Sequence, residues 1–167
     1  MRGQDQPPAP LADATGFRFA VVVSRFNESV TDSLRDAASA ALREAGASSV
    51  QILAVPGAFE IPQAARAAAE SGRFDAIVCL GCVIRGETPH FEYIASAVAH
   101  GITDAAGDTG VPMAFGVLTT DTVEQAAARS GPGPENKGRE AAAAAIEMAV
   151  LYRALSTAAN RPSGFPV

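Results

Sequence analysis

A chain of 167 residues is long enough for one α/β domain with a buried core, and 48% hydrophobic with 19% charged residues excludes disordered and fibrous classes. The net charge of −5 comes without a Lys/Arg cluster, so neither nucleic acid nor an anionic membrane is an expected partner. No apolar run approaches the roughly 18 residues of a membrane span, and no signal-peptide core opens the chain, which points to a cytoplasmic protein.

Residues 1–16 carry Pro7, Pro8, Pro10 and Gly16 and read as a flexible arm. The folded domain is expected over residues 17–158. Phe17 to Val23 is a β-branched and aromatic run, a buried strand, with Ser24-Arg25-Phe26-Asn27 as the loop at its carboxyl end. Leu34, Ala37, Ala38, Ala41, Leu42 and Ala45 recur at helical spacing, and Gly46 stops that helix. Val50 to Val55 is the second strand, turned by Pro56-Gly57-Ala58. Phe59-Glu60-Ile61-Pro62 opens the second helix, because proline is tolerated only in a first turn. Ile61, Ala64, Ala65, Ala68 and Ala69 form its inner face and Gly72 ends it.

Asp75 to Ile84 is the most continuously apolar stretch and reads as a central strand. Phe91, Ile94, Ala95, Val98 and Ile102 mark a third helix whose other face holds Ser96, Ala97, His100 and Asp104. Val111 to Leu118 is the fourth strand, and a short helix ends near Ser130. Gly131-Pro132-Gly133-Pro134 breaks the chain. A last helix runs from about Gly138, with Ala141, Ala144, Ala145, Met148, Tyr152 and Leu155 on one face, and residues 159–167 form a tail. Strand alternating with helix four times predicts a flavodoxin-like three-layer α/β/α sandwich around a four-stranded parallel sheet. The many alanines bury little area per helix, a hint that another subunit completes part of the core.

In such sheets ligands bind outside the carboxyl ends of the strands. There lie Phe26 and Asn27, Phe59 and Glu60, Arg85 to His90, and Thr119 to Asp121. Loops ordinarily collect polar residues, but they do not ordinarily collect phenylalanines, so Phe26 and Phe59 suggest a flat apolar ligand. Thr88-Pro89-His90 reads as a helix start with Thr88 as N-cap and Pro89 in the first turn. Free N–H groups there suit phosphate or carboxylate, and His90 stands ready as a proton acceptor. A lone histidine is more often structural, and a capped helix alone is commonplace.

Cys79-Leu80-Gly81-Cys82 is formally C-x-x-C. In a strand, however, positions i and i+3 point to opposite faces, so the pair reads as packing rather than redox chemistry. Metal binding is not expected: His90 and His100 are about 80° apart around a helix, and no Cys/His cluster exists. Arg129 and Lys137 read as surface charges or anion ligands.

Five blocks in order resemble the 6,7-dimethyl-8-ribityllumazine synthase family of riboflavin biosynthesis over about Phe17 to Tyr152. They are Ser24 to Asn27, Val55 to Pro62, Leu80 to His90, Phe115 to Thr120, and Asn136-Lys137-Gly138 with Ile146 to Ala149. The resemblance implies a transferase that needs no cofactor. It would condense two small molecules, 5-amino-6-(D-ribitylamino)uracil and L-3,4-dihydroxy-2-butanone 4-phosphate. An amine attacks a ketone, phosphate leaves, and ring closure loses water.

By the same resemblance His90 would move protons and Phe26 would stack on the pyrimidine. Asn27, Ala58, Phe59 and Glu60 would contact the ring and ribityl chain, and Val83 and Ile84 would offer backbone groups to the uracil. Gly86, Glu87 and Thr88 would hold phosphate, with Arg129 as cationic partner, while Phe115 and Lys137 complete the pocket. The family places the pocket between neighbours in a homopentamer, with Phe115, Arg129 and Lys137 coming from the next chain. The resemblance also opens association with riboflavin synthase. The short Ser130 to Glu135 linker resembles members that build sixty-subunit icosahedral shells, although prolines at 7–10 weaken an arm's pairing with a neighbour's sheet. Ala128 stands where relatives often carry Glu, which leaves the placement of Arg129 open. Two rival readings are a non-catalytic riboflavin- or lumazine-binding shell protein and a flavodoxin-like electron carrier; the missing flavin-phosphate loop argues against the latter.

Overall fold

The computed structural model describes residues 10–159; the expected arm over 1–9, with Pro7 and Pro8, and the tail over 160–167 lie outside the described residues. In chain order the elements are β1 (Arg18–Ser24), α1 (Glu28–Glu44), β2 (Ser49–Val55), a 3₁₀ turn (Ala58–Glu60), α2 (Ile61–Glu70), β3 (Ala76–Ile84), α3 (His90–Thr109), β4 (Met113–Thr120), α4 (Val123–Ser130) and α5 (Lys137–Ala159). The four strands lie in the order β2-β1-β3-β4 and every pairing is parallel. This is the expected α/β sandwich, with β1 and β3 in the middle.

Strand alternation sorts the side chains into two cores. Phe19, Val21 and Val23 of β1 join Val78, Leu80 and Cys82 of β3 beneath α1, α4 and α5. Ala20 and Val22 join Ile77 and Cys79 beneath α2 and α3, against Ile61, Ala65, Val98 and Ile102. Each large aliphatic side chain removed from water contributes about 1.5–3 kcal/mol. Half-exposed ion pairs such as Arg18–Asp75, 3.2 Å apart, contribute about 0–1 kcal/mol, so burial rather than charge pairing sets the stability.

The two cysteines fall into opposite cores, as the strand geometry requires. Burial pushes the Cys79 thiol up to about 12 and the Cys82 thiol to about 11.

Residues 10–16 are not a loose arm. Ala14 is fully buried, its N–H donates to the Ala45 carbonyl at 2.8 Å, and Thr15 bridges Ala47 in antiparallel fashion. Arg153 of α5 closes over this segment, its guanidinium 3.5 Å from the Phe17 ring centroid and donating to the Gly16 carbonyl. The polar, proline-marked sequence hides this packing because it depends on contacts with residues far along the chain.

The inner face of α5 also differs from the expected one. Ala141, Ala142, Ala145, Ile146 and Ala149 are buried, whereas Met148, Tyr152 and Leu155 are exposed. Alanine occupies nearly every side of this helix, so periodicity could not choose a face. Gly138 chooses it: a Cβ there would overlap the Leu34 carbonyl of α1. Backbone meets backbone at that point, and the buried stripe follows at three- and four-residue steps from Gly138. The stretch Lys137–Ala158 is long and apolar enough by length and composition to cross a membrane, but this stripe packs against the sheet and α1.

Replacing Gly138 by Ala should destabilise the protein by about 3 kcal/mol or more. Gly107→Ala, at a helical position with open space around it, should be neutral or stabilising by roughly 0.5–1 kcal/mol. Urea denaturation midpoints measure both. A thiol reagent at pH 8 should label neither cysteine in the native protein and both after unfolding. Unfolded thiols ionise near 9.0 and the native ones only near 11 and 12, so their contribution to stability is full below 9.0 and declines as pH rises through that window.

Candidate functional site

The carboxyl end of β3 forms the floor of a largely apolar cleft of about 340 Å³. Cys82, Val83 and Ile84 lie beneath it, Phe26 and residues 57–60 form one wall, and Gly86, Thr88, His90, Phe91 and Ile94 form the other. Phe26 is 69% exposed and Phe59 57%, so two phenyl rings stand in solvent at its rim. Leaving rings of that size wet costs free energy that a stacked ligand would recover.

Local hydrogen bonds hold each wall. The Phe26 N–H donates to Ser24 Oγ at 3.1 Å, and the Arg25 N–H to the Val55 carbonyl at 2.9 Å. Asn27 takes the left-handed conformation, φ 61°, which asparagine tolerates better than most residues. Its Nδ2 donates to the Cys82 carbonyl at 2.9 Å, tying the loop after β1 to β3. Gly57 admits Glu60 closely, since a Cβ there would lie 3.1 Å from Glu60 Oε2.

The opposite wall depends on Arg85. Its N–H donates to the Thr120 carbonyl at 2.8 Å. Its guanidinium bonds Asp121 at 2.7 Å and Glu92 at 3.3 Å, and lies 4.6 Å from the Phe91 ring centroid. Asp121 first, then Glu92, raise its already high pKa and keep it charged. Arg85 therefore braces the turn that carries Gly86 to His90. The sequence offered its charge but no sign of the brace, because Asp121 comes from a different strand end.

Helix α3 begins at His90 with Pro89 as N-cap, and no side chain caps it. The expected N-cap, Thr88, lies one residue earlier in the turn, because Pro89 (φ −70°, ψ 3°) stays just outside helical geometry. The helix start therefore presents its N–H groups and dipole to the cleft without a competing side-chain acceptor.

Phe115, Arg129 and Lys137 are not in this cleft. They line a second one, of about 500 Å³, on the outer side of edge strand β4, with Thr119, Glu140 and Ala144. Phe115 pairs in register with Cys79, in mid-strand rather than at a carboxyl end, and is 48% exposed. Lys137 Nζ bonds Glu140 at 2.7 Å. Arg129 Nη1 donates to the Gln125 carbonyl of its own helix at 2.9 Å and forms none of the ion pairs found among the described residues. Ala128 beside it offers no carboxylate.

Of the residues singled out from sequence, Phe26, Ala58, Phe59, Glu60, Val83, Ile84, Gly86, Thr88 and His90 thus share the first cleft, and Phe115, Arg129 and Lys137 the second. Asn27 and Glu87 line neither; Glu87 is exposed in the turn. Thr119 and Thr120 pair with the floor residues Val83 and Ile84, and Asp121 reaches this wall through Arg85. Cys82, Phe91 and Ile94 were read as packing residues and also form its surface. Among the described residues the first cleft is lined by aromatics, an imidazole and helix N–H groups but no Lys or Arg; the second offers the cations and one more aromatic.

Residues 16–153 match the family model described as 6,7-dimethyl-8-ribityllumazine synthase. A protein named 6,7-dimethyl-8-ribityllumazine synthase from Syntrophus aciditrophicus (strain SB) is 54% identical over 142 residues, covering 84% of this chain and 92% of the relative. The match takes in both clefts, and this chain belongs to the 6,7-dimethyl-8-ribityllumazine synthase family.

Proposed function

We propose that this chain condenses 5-amino-6-(D-ribitylamino)uracil with L-3,4-dihydroxy-2-butanone 4-phosphate, a cofactor-free transferase reaction that yields 6,7-dimethyl-8-(D-ribityl)lumazine and inorganic phosphate. The observation that carries the reading is the division of the site residues between two incomplete clefts in a chain of this family. The ring and the imidazole are provided for in one, the phosphate's countercharge in the other.

In this reading the pyrimidine stacks on Phe26 and lies along the Val83 and Ile84 backbone. Ala58, Phe59 and Glu60 flank the ribityl chain. Asn27 uses Oδ1, since its Nδ2 is committed to the Cys82 carbonyl. The phosphate sits on the turn of Gly86, Glu87 and Thr88, where helix N–H groups favour an anion. Arg129 neutralises it, while Phe115 and Lys137 close the pyrimidine side. The ring amine adds to the ketone and water leaves as the imine forms. Loss of a proton beside the imine drives out phosphate. The enol left behind tautomerises to a new carbonyl at the former hydroxyl-bearing carbon; the ribityl-bearing nitrogen attacks it, and a second water leaves as the ring closes. His90 accepts and returns the protons of these steps, a role suited to imidazole at neutral pH.

The same reading makes the working unit a homopentamer, in which Arg129, Lys137 and Phe115 of one copy complete the first cleft of the next. We extend it to closure of pentamers into a sixty-subunit shell, to association with riboflavin synthase and to a cytoplasmic location. Sedimentation and light scattering distinguish pentamer from shell.

Mixing the two substrates with the protein should generate lumazine fluorescence above the uncatalysed rate; a rate equal to background would refute the reading. His90→Ala should lower kcat by about 10²-fold, the low end for general acid–base catalysis, with the assembly unchanged in size. Wild-type kcat in that variant would remove His90 from proton transfer.

A further inference from the structure

The six residues between α4 and α5 bring Arg129 and Lys137 into one cleft, although they have little backbone bonding of their own. Pro132 and Pro134 lack an N–H, and Gly133 sits at φ +108°. Asn136 supplies what the backbone lacks. It is 3% exposed and uses both ends of its amide. Nδ2 donates to the Ser130 carbonyl at 2.9 Å and to the Gly131 carbonyl at 3.0 Å. Oδ1 accepts from the Gly138 N–H at 2.8 Å. One side chain thus closes the last carbonyls of α4 and caps the first turn of α5.

Arg129 directly precedes the residue that Asn136 binds, and Lys137 directly follows Asn136. Helix α1 holds the same junction from below, through Ser33 Oγ donating to the Ser130 carbonyl and through Gly138 seated on the Leu34 carbonyl. These contacts anchor each helix separately to α1. Only Asn136 joins the two helix ends directly to each other through a side chain, among the described residues.

A plain N-cap would not require asparagine. Serine and aspartate cap a helix about as well, but neither ionised aspartate nor the short serine hydroxyl donates to two carbonyls in the preceding helix. We propose that Asn136 is a positioning residue that sets the separation and direction of Arg129 and Lys137, so that both cations meet the substrate in the completed site. The proposal rests on the functional reading above.

Asn136→Ser keeps the cap and removes the double donation. It should assemble to wild-type size and raise KM for the phosphorylated ketone by about five- to tenfold, with kcat within about twofold. In an Arg129→Ala background the same substitution should change that KM by less than about twofold, because the cation it positions is gone. An unchanged KM, or an equal multiplication with and without Arg129, would overturn the proposal. Asn136→Asp, which also retains a cap and lacks the donors, should move KM in the same direction and serves if the serine variant fails to fold. Limited trypsin digestion gives a readout independent of activity: cleavage after Arg129 and Lys137 should accelerate in Asn136→Ser, by about tenfold for the loss of these bonds. An unchanged cleavage pattern would refute the clamp. A wild-type protein that cleaves as expected but makes no lumazine would sink the functional reading alone.

Discussion

Both faces of β1 and β3 are buried, and that constraint organises the molecule. A polar group placed anywhere along them would have to be satisfied inside one of the two cores, at a cost of a few kcal/mol if it were not. Phe19 to Val23 and Ala76 to Leu80 are accordingly apolar without a break. The first positions where chemistry can appear are at the strand ends, at Ser24, the last residue of β1, and at Arg85, just past β3. The first cleft lies there because the sheet admits it nowhere earlier, and the parallel pairing brings the ends of β1, β2 and β3 to the same side. Cys79 and Cys82 illustrate the other consequence. Two thiols only three positions apart are separated by the thickness of the sheet and raised well above neutral pH by burial.

A second constraint acts on the opposite side of the molecule. Helix α5 touches the α1 backbone directly at Gly138, which fixes its rotation and draws the start of the helix toward β4. Lys137 is carried to the β4 edge by this contact, and the Asn136 amide brings the end of α4 alongside. The cations therefore belong to the sheet's edge, while the imidazole and aromatic rings belong to its carboxyl end. Within one chain these are different surfaces. In the proposed reading a second copy joins them and covers the exposed outer side of α5 and the wet face of Phe115.

Much of this arrangement was legible in the residues. The alternation of strand and helix, the buried run ahead of Gly81 and Pro62 in a first turn follow from local patterns, because each is governed by neighbours close in sequence; the grouping of Phe26 and Phe59 with His90 follows from that alternation, since a parallel sheet brings its strand ends to one side. What was not legible depends on distant partners. The packing of Ala14, the brace from Arg85 to Asp121 and the rotation of α5 are set by contacts that no periodicity encodes. Alanine-rich α5 is the clearest case: a helix with small apolar residues all round has no face until a neighbour selects one. Thr88 failed as a cap for a smaller reason, one residue of proline geometry. The placement of Phe115 and Arg129 apart from His90 was foreseen only through the family resemblance, since spacing says nothing about which copy a residue serves.

The claim that the site is shared between copies can be tested by subunit mixing. His90→Ala and Arg129→Ala chains are co-expressed and assembled together, then assayed at substrate concentrations well below KM. If His90 acts with the Arg129 of the next chain, random assortment in an equal mixture makes roughly a quarter of the interfaces fully wild type, and the mixture should recover about that fraction of wild-type activity. Activity no higher than the average of the two variants measured separately would contradict the shared site and place the whole reaction within one chain.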